Sequence, residues 1–212
     1  EFEYQRKGGK IALTLDDGDE LVYVKHTSGN DDIIIATHDG LSARFGEEDV
    51  RPMGRGARGV KLHPDFQRFV VDREDMFPVY EACAALGLPV LFHVGDQNSD
   101  ASSPARVRHI AERVPALKVI AAHMCGYSVW DEAERELIGT SVYTDTSDAL
   151  IGLPPERVYA LIEKHGVTRV MFGSDYPLRT TRSAYDALMK LPFTDAEREQ
   201  ILLKTAADLF GV

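Results

Sequence analysis

The sequence lacks the features that mark membrane-spanning and disulfide-stabilised proteins. None of its apolar runs is long enough for a membrane-spanning helix, and the chain does not begin like a signal peptide. Its two cysteines, Cys83 and Cys125, stand alone without Cys-x-x-Cys spacing. These absences argue against a membrane partner and a disulfide framework, and we expect a protein of the reducing cytoplasm.

Positive charge is also scarce. The 24 lysines and arginines are outnumbered by 34 aspartates and glutamates, so the formal net charge is −10. Both parts of the chain share this deficit, with 8 basic against 12 acidic residues over 1–59 and 16 against 22 over 60–212. Proteins that bind nucleic acid usually present a basic face to the phosphates. The composition therefore disfavours nucleic acid as a partner, although it allows a local basic patch.

The first 59 residues contain short β-branched runs and nothing with the length or period of a helix. Asp39-Gly40 lies between two of these runs, and an Asp-Gly pair is a strong signal for a two-residue hairpin. We therefore predict a small antiparallel β-segment over residues 1–59. Its strands are KIALTL (10–15), ELVYVKHT (20–27), DIIIATH (32–38) and LSARF (41–45).

After Gly59 the pattern changes to apolar strands that alternate with helical stretches, which is typical of parallel βα units. Thr194 and Glu197 form a capping-box pattern at the start of the last helix. We predict an α/β fold over residues 60–212, a partial (β/α)₈ barrel of about five parallel βα units. Strands are expected at 60–63, 89–96, 118–124, 141–147 and 169–175, and helices at 73–87, 103–115, 130–138, 154–166, 181–191 and 194–210.

Polar residues that bind metals occur at or near the carboxyl ends of the predicted strands. They are His63, His93, His123, Asp145 and Asp175. In an α/β barrel the active site lies at that end of the strands. Imidazoles and a carboxylate that converge there can bind Zn²⁺ or a similar ion, which lowers the pKa of a bound water.

The runs RGVKLHPDFQ, LGLPVLFHVGD, LKVIAAHMCG, VYTDTS and RVMFGSDYP resemble the later strands of the amidohydrolase-related metal-dependent hydrolases. That group includes aminocarboxymuconate-semialdehyde decarboxylase. The resemblance covers about residues 57–212 and implies a (β/α)₈ barrel. It implies His93 and Asp175 as metal ligands, His123 as the group that deprotonates the bound water or as a third ligand, and Asp175 as a second proton acceptor. It also implies that His63 lies beside the substrate.

Two further expectations concern substrate and metal. Arg179 follows the last predicted strand and is a candidate for binding a substrate carboxylate. The resembled family opens with a strand that bears His-x-His, which supplies two metal ligands, and these 212 residues contain no His-x-His. We therefore expect a divalent ion, zinc by preference, to be held weakly or to have been lost.

The N-terminal part resembles a different family. The run RFGEEDVRPMGRGARGVK is similar to the C-terminal domain of the DNA gyrase A protein, whose repeats form the blades of a DNA-wrapping β-pinwheel. QRKGGK (5–10) resembles the basic box of that domain, which makes Arg6, Lys7 and Lys10 candidate DNA contacts. Residues 1–61 amount to about one and a half blades, whereas a propeller needs several blades to close.

Together the two resemblances predict a chimera with a crossover at residues 57–61, engineered or recombined rather than a natural gene. The favoured hypothesis is a folded hybrid that keeps part of an amidohydrolase-type metal site and has weak or no turnover. One alternative is an active metal-dependent hydrolase or decarboxylase with a small carbonyl-type substrate, and another is a nucleic-acid-binding module. The open edges of a half-barrel also favour pairing between copies of the chain.

Overall fold

The structure is a computed structural model that describes residues 32–36, 42–46 and 59–211. The chain divides into two compact units, Glu1–Ala57 and Arg58–Val212. In the first unit, β1 (Asp32–Ala36) and β2 (Ser42–Gly46) pair antiparallel with Ile34 opposite Arg44. This pairing agrees with the predicted hairpin. The predicted turn Asp39-Gly40, the strands at 10–15 and 20–27, and the candidate DNA contacts Arg6, Lys7 and Lys10 lie outside the described residues.

The second unit is built on a five-stranded parallel sheet in sequence order. Each of the five predicted strands is present, which confirms the partial-barrel fold. Within this sheet the first and last strands are the edge strands. The pairing of chains through such edges stays a prediction. The strands are β3 (Val60–Leu62), β4 (Val90–Phe92), β5 (Val119–Ala121), β6 (Tyr143–Asp145) and β7 (Val170–Met171).

Helices connect the strands, and each stretch that was predicted as helical contains one. Short 3₁₀ turns occur at Glu74–Met76 and Val167–Arg169, and a π-helical turn occurs at Gln200–Lys204. Two four-residue helices, Pro64–Gln67 and Ala149–Gly152, were not predicted. The α-helices are α1 (Pro64–Gln67), α2 (Phe77–Ala85), α3 (Pro104–Arg113), α4 (Trp130–Glu136), α5 (Ala149–Gly152), α6 (Pro155–His165), α7 (Thr181–Leu188), α8 (Asp195–Glu199) and α9 (Thr205–Phe210).

Successive side chains of a strand point to opposite faces of the sheet. The two faces therefore belong to different apolar clusters and are covered by different helices. Val90 and Phe92 of β4 belong to the larger core cluster, together with Ile110 of α3 and Leu161 of α6. On the other face, a smaller cluster joins Ile120 and Met171 to Leu209 of α9. In the described residues no helix combines the length and apolar character needed to cross a membrane.

Candidate metal centre

A cavity of about 490 Å³ opens where the carboxyl ends of the parallel strands meet. It is lined by four of the five polar residues predicted at strand ends, His63, His93, His123 and Asp175, and by Arg179; the fifth, Asp145, is not among the lining residues. A second cavity of about 520 Å³, lined in part by Trp130 and Arg157, contains none of them. The first cavity is therefore the candidate site.

His93 lines the cavity and is buried, with 9% of its surface exposed. Its Nε2 is 3.1 Å from the carbonyl oxygen of Gly95, and its Nδ1 is 3.0 Å from Nε2 of His123. Burial, with smaller contributions from the neighbouring His123 and His63, lowers the pKa of His93 to about 4. His93 is therefore neutral at physiological pH, which is the form that binds metals.

His123 is held in place through both its ring and its backbone. Nδ1 is 2.7 Å from the hydroxyl oxygen of Ser147, and the backbone carbonyl of His123 accepts a hydrogen bond of 2.9 Å from Nε1 of Trp130. The backbone N–H of His123 donates to Oδ1 of Asp145 at 3.2 Å, and Ser147 also donates to that oxygen. Asp145 thus positions His123 and Ser147.

A third candidate ligand, a carboxylate, joins the two predicted ligands His123 and Asp175. Asp148 presents an oxygen so that one ligand atom from each of these three residues lies within 4.8 Å of the others. Asp148 is 10% exposed, and its Oδ2 is 3.6 Å from Nδ1 of His123. The sequence-based reasoning missed Asp148, although it lies only three residues beyond Asp145 at the end of β6.

The electrostatics of this cluster fit a cation. Burial raises the pKa of Asp148 above its usual value; His123 opposes the rise, and the nearby Asp175 raises the pKa further. A divalent ion between two such carboxylates would relieve their repulsion, and an imidazole with two carboxylates is a common donor set for Mn²⁺ or Zn²⁺. The residues present therefore suit a divalent metal.

His93 groups with different partners. Ligand atoms of His93, His63 and Asp65 also lie within 4.8 Å of one another. The ring of His63 stacks on that of His93 with a centroid distance of 3.9 Å. The structure thus brings together all three predicted metal ligands in one cavity, but it distributes them over two neighbouring clusters that meet at the contact between His93 and His123.

Two basic side chains complete the cavity. Arg179, the predicted substrate-binding residue, lies with Nε 3.5 Å from Oδ1 of Asp148. Lys61 of β3 also lines the cavity and was not predicted as a site residue. Desolvation by the surrounding protein lowers the pKa of Lys61, against the attraction of Asp145 and Asp175. Both side chains are solvent-accessible and present positive charge to anything that enters.

Comparison with known families gives two matches. The amidohydrolase family profile matches residues 35–212, and the profile of the DNA gyrase C-terminal domain, a β-propeller, matches residues 1–28. The amidohydrolase match begins earlier than the predicted limit near residue 57. These matches confirm both resemblances and are consistent with a chimera.

The curated relatives are A-type subunits of DNA gyrase. Those of Clostridium acetobutylicum and Ureaplasma parvum are 62% identical over 56 residues and 52% identical over 61 residues, which is 26% and 29% of this chain. The chain spans 7% of the length of each of these relatives. The similarity is therefore confined to a small part of the gyrase A protein.

Solved structures with TIM-barrel folds resemble the chain in their fold. An uncharacterised TIM-barrel protein of Bordetella bronchiseptica matches with a TM-score of 0.62 and 23% identity, over 73% of this chain and 57% of that one. A putative amidohydrolase of Staphylococcus aureus matches with a TM-score of 0.58 and 19% identity, over 73% and 65%. A dihydroxybenzoic acid decarboxylase of Polaromonas, solved with manganese and 2-nitroresorcinol, matches with 0.53 and 21%, over 66% and 55%.

These identities show the fold alone, and the family rests on the sequence profile. The profile covers residues 35–212, most of the 212 residues. The profile contains the strands whose ends carry His93, His123 and Asp175. The chain belongs to the amidohydrolase family.

Proposed function

We propose that the amidohydrolase part of this chain binds a divalent cation through His123, Asp148 and Asp175 and retains part of a metal-dependent hydrolase or decarboxylase site. The observation that carries this proposal is the convergence of these three side chains in a cavity at the carboxyl ends of the strands. The structurally similar Polaromonas decarboxylase was solved with manganese, and the donor set here would suit Mn²⁺ as well as the expected Zn²⁺.

The substrate in this proposal is a small carbonyl-type or carboxylate compound. Arg179 and Lys61 line the cavity and would attract and orient an anion. A bound divalent ion would polarise the substrate carbonyl and activate water. In the alternative in which His123 does not bind the ion, its position between Ser147 and His93 would allow it to accept or return a proton instead.

Weak or absent turnover is part of the proposal. Arg179 lies against Asp148, so a cation must compete with a positive charge that is already present. The family resemblance implies two further ligands from a His-x-His strand, and the chain has no such motif. With fewer ligands, the ion is held loosely. The reaction rate falls steeply when the reacting groups are misplaced.

Titration of the metal-free full chain with MnCl₂ and ZnCl₂ by calorimetry tests the proposed cation site. We expect binding that Asp148→Asn weakens at least about tenfold, because the substitution removes a charged ligand. Asp195→Asn is the matched control, since its side chain is fully exposed on α8. Absence of binding tighter than about 100 µM for either ion would contradict the proposal.

Turnover is measured with 2,6-dihydroxybenzoate, because one of the similar solved structures is a 2,6-dihydroxybenzoate decarboxylase in complex with that compound. We expect slow release of CO₂ or none from the metal-loaded chain. A rate of about 1 s⁻¹ or more, typical of enzymes, would show that the site is complete and would favour the fully active alternative.

Nucleic-acid binding is the second candidate, and the gyrase match over residues 1–28 favours it. Arg6, Lys7 and Lys10 would supply the contacts to phosphates. Binding to duplex DNA at low salt, with an affinity that falls steeply as salt is raised, would support it. Equal affinity of a variant with all three residues changed to Gln would refute the assignment of these contacts.

A further inference from the structure

Trp130, the single tryptophan of the chain, contacts both segments that carry the proposed ligands His123 and Asp148. It is not among the residues that line the first cavity, so any effect on that cavity passes through other residues. We propose that Trp130 is a positioning residue, which holds the turn after His123 and the helix after Asp148 so that these two side chains converge. The consequence for metal affinity rests on the proposed cation site, whereas the arrangement itself does not.

The turn after His123 has a left-handed backbone conformation. His123, Met124 and Cys125 have φ angles of 61°, 51° and 65° in succession. Such angles are unfavourable for residues other than glycine and persist only where surrounding contacts impose them. The direction of the His123 side chain therefore depends on contacts from outside the turn.

Trp130 supplies one of these contacts through its indole N–H. Nε1 donates to the backbone carbonyl of His123 at 2.9 Å, and Trp130 is the first residue of α4. The same carbonyl accepts a longer hydrogen bond of 3.2 Å from the N–H of Gly126, which belongs to the turn itself. On the other side, the N–H of Met124 donates to the carbonyl of Asp145 at 2.8 Å. The turn is thus fixed from both β6 and α4.

The six-membered ring of Trp130 packs against α5, the helix that follows Asp148. A Cβ at Gly152 would lie 3.0 Å from Cη2 of Trp130 and 3.7 Å from Cζ2, so the indole contacts the backbone of α5 with little space between them. The N–H of Gly152 donates to the carbonyl of Asp148 at 2.7 Å, which joins this contact to the ligand. One side chain therefore fixes the distance between the turn of His123 and the helix beside Asp148.

Packing alone would not require the polar atom of Trp130. A phenylalanine ring could also pack against Gly152 without an indole N–H. Trp130 is half-buried and lines the second cavity. A partly buried indole usually finds a hydrogen-bond partner, and here the partner is the carbonyl of a proposed ligand. The direction of this donor points to a role in orienting His123.

The first test compares the manganese affinity of Trp130→Phe with that of the wild type, by calorimetry on the metal-free full chain. Trp130→Phe keeps an aromatic ring and removes the donor. We expect manganese binding to weaken about tenfold, as is typical when a group that supports a metal ligand is lost. Leu209→Ala is the control, because Leu209 belongs to the cluster on the other face of the sheet. Its manganese affinity should stay within about twofold of the wild type.

Equal manganese affinity of Trp130→Phe and the wild type would overturn the proposal. So would the same weakening in Leu209→Ala, because the loss would then follow stability and not the position of the ligands.

A second measurement needs no metal and separates this proposal from the proposed function. The ring nitrogens of His123 lie 2.7 Å from the hydroxyl of Ser147 and 3.0 Å from Nδ1 of His93, and their ¹⁵N shifts follow these hydrogen bonds. In imidazole ¹H–¹⁵N spectra of the metal-free chain, we expect these shifts to change in Trp130→Phe and to persist in Leu209→Ala. A change in Trp130→Phe when the wild type binds no manganese would support the positioning role while the proposed function fails. Unchanged shifts in that case would overturn both.

A measurement on the unmodified chain covers the case in which Trp130→Phe does not fold. The chain has one tryptophan, so its indole N–H gives a single signal whose exchange with solvent can be followed by NMR. Slow exchange is expected, because this proton is bonded to the carbonyl of His123. Exchange as fast as that of free tryptophan would overturn the proposal.

Discussion

Three residues of the candidate metal centre hold a backbone conformation that side chains rarely adopt. His123, Asp148 and Asp175 have φ angles of 61°, 55° and 57°. Each such angle costs on the order of 1 kcal/mol for a residue other than glycine, so the surrounding contacts must impose it. At His123 these contacts include the hydrogen bonds from Trp130 and to Asp145. At the residue scale, part of the folding free energy therefore offsets the backbone strain that directs these ligands into the cavity.

The glycine that faces His93 is the subject of a residue-scale prediction. Gly95 has φ of 88°, and a Cβ there would lie 2.7 Å from the carbonyl oxygen of Tyr127 and 2.7 Å from Cγ2 of Val129. Gly95→Ala should lower the free energy of unfolding by about 3 kcal/mol, since strain adds to the backbone cost. Gly87→Ala, at φ of 68° with open space around it, should cost about 1 kcal/mol. Equal losses in urea unfolding would contradict this account.

The buried His165 makes stability depend on pH. Its Nδ1 accepts from the backbone N–H of Gly139 at 3.1 Å, and its Nε2 donates to the carbonyl of Val142 at 2.9 Å. Burial lowers its pKa from 6.5 to about 4. The unfolded chain therefore binds a proton that the folded chain excludes, so the stabilisation is complete above pH 6.5 and falls as the pH falls towards 4.

His165→Asn should remove one titrating group from that window. In the wild type, the free energy of unfolding should fall by about 1 kcal/mol per pH unit for this residue between about pH 6 and 4.5. The variant should be less stable at neutral pH and should show a shallower decline. His93, whose pKa is also lowered, contributes its own pH dependence of stability equally in both proteins. Parallel curves for the two proteins would show that His165 is not the group responsible.

At the scale of single elements, the C-terminal helical run shows both what local sequence encodes and what it leaves out. The capping box predicted from Thr194 and Glu197 is confirmed, with hydrogen bonds in both directions. The single helix predicted over 194–210 is instead α8, a π-helical turn at Gln200–Lys204 and α9. The π turn puts the backbone N–H of Phe172 within 2.8 Å of the carbonyl of Ile201. That bond joins the run to the end of β7.

The capping box supports an element-scale prediction. Thr194→Ala should lower the free energy of unfolding by about 1 kcal/mol, because the N–H of Glu197 loses its acceptor at the exposed helix start. Glu197→Ala added to Thr194→Ala should cost less than it does alone, since the two side chains act as a pair. Additive losses in thermal unfolding would contradict the reciprocal cap.

At the scale of the whole described unit, the parallel sheet carries apolar side chains on both faces, and each face needs helices to cover it. In the described residues, α9 supplies part of that cover: Leu209 is 5% exposed and packs with Ile120 and Met171. Partly buried Leu91 and Tyr143 extend the same cluster along the sheet. The five-stranded unit thus buries apolar surface on both faces of its sheet, which a parallel sheet requires.

This arrangement predicts a strong effect of one C-terminal leucine. Leu209→Ala should lower the free energy of unfolding by about 3 kcal/mol, through lost burial and the cavity left behind. Leu203→Ala, in the same helical run but 59% exposed, should change it by less than about 0.5 kcal/mol. Urea unfolding followed by circular dichroism distinguishes them, and similar small losses would mean that α9 does not stabilise the sheet.

Much of the candidate site could be predicted from the sequence, but not its grouping. His93, His123 and Asp175 were identified because each follows a strand, and the ends of strands can be predicted from short apolar runs. Asp148 and Asp65 escaped because they lie on or beside four-residue helices, α5 and α1, which are too short to produce a periodic pattern. Lys61 escaped because one lysine inside a three-residue strand carries no signal of the face it occupies.

The sequence by itself determined the local features: the alternation of strands and helices, the capping box at Thr194, the polar residues at strand ends and the two families. The first three depend on residue spacing within one element, whereas the families rest on longer runs of similar sequence. Only the tertiary structure decided which side chains meet. Asp148 lies beside Asp175 and Asp65 beside His93 although 27 and 28 positions separate them in the chain. Such contacts depend on how βα units pack and on sheet register, which no local pattern specifies.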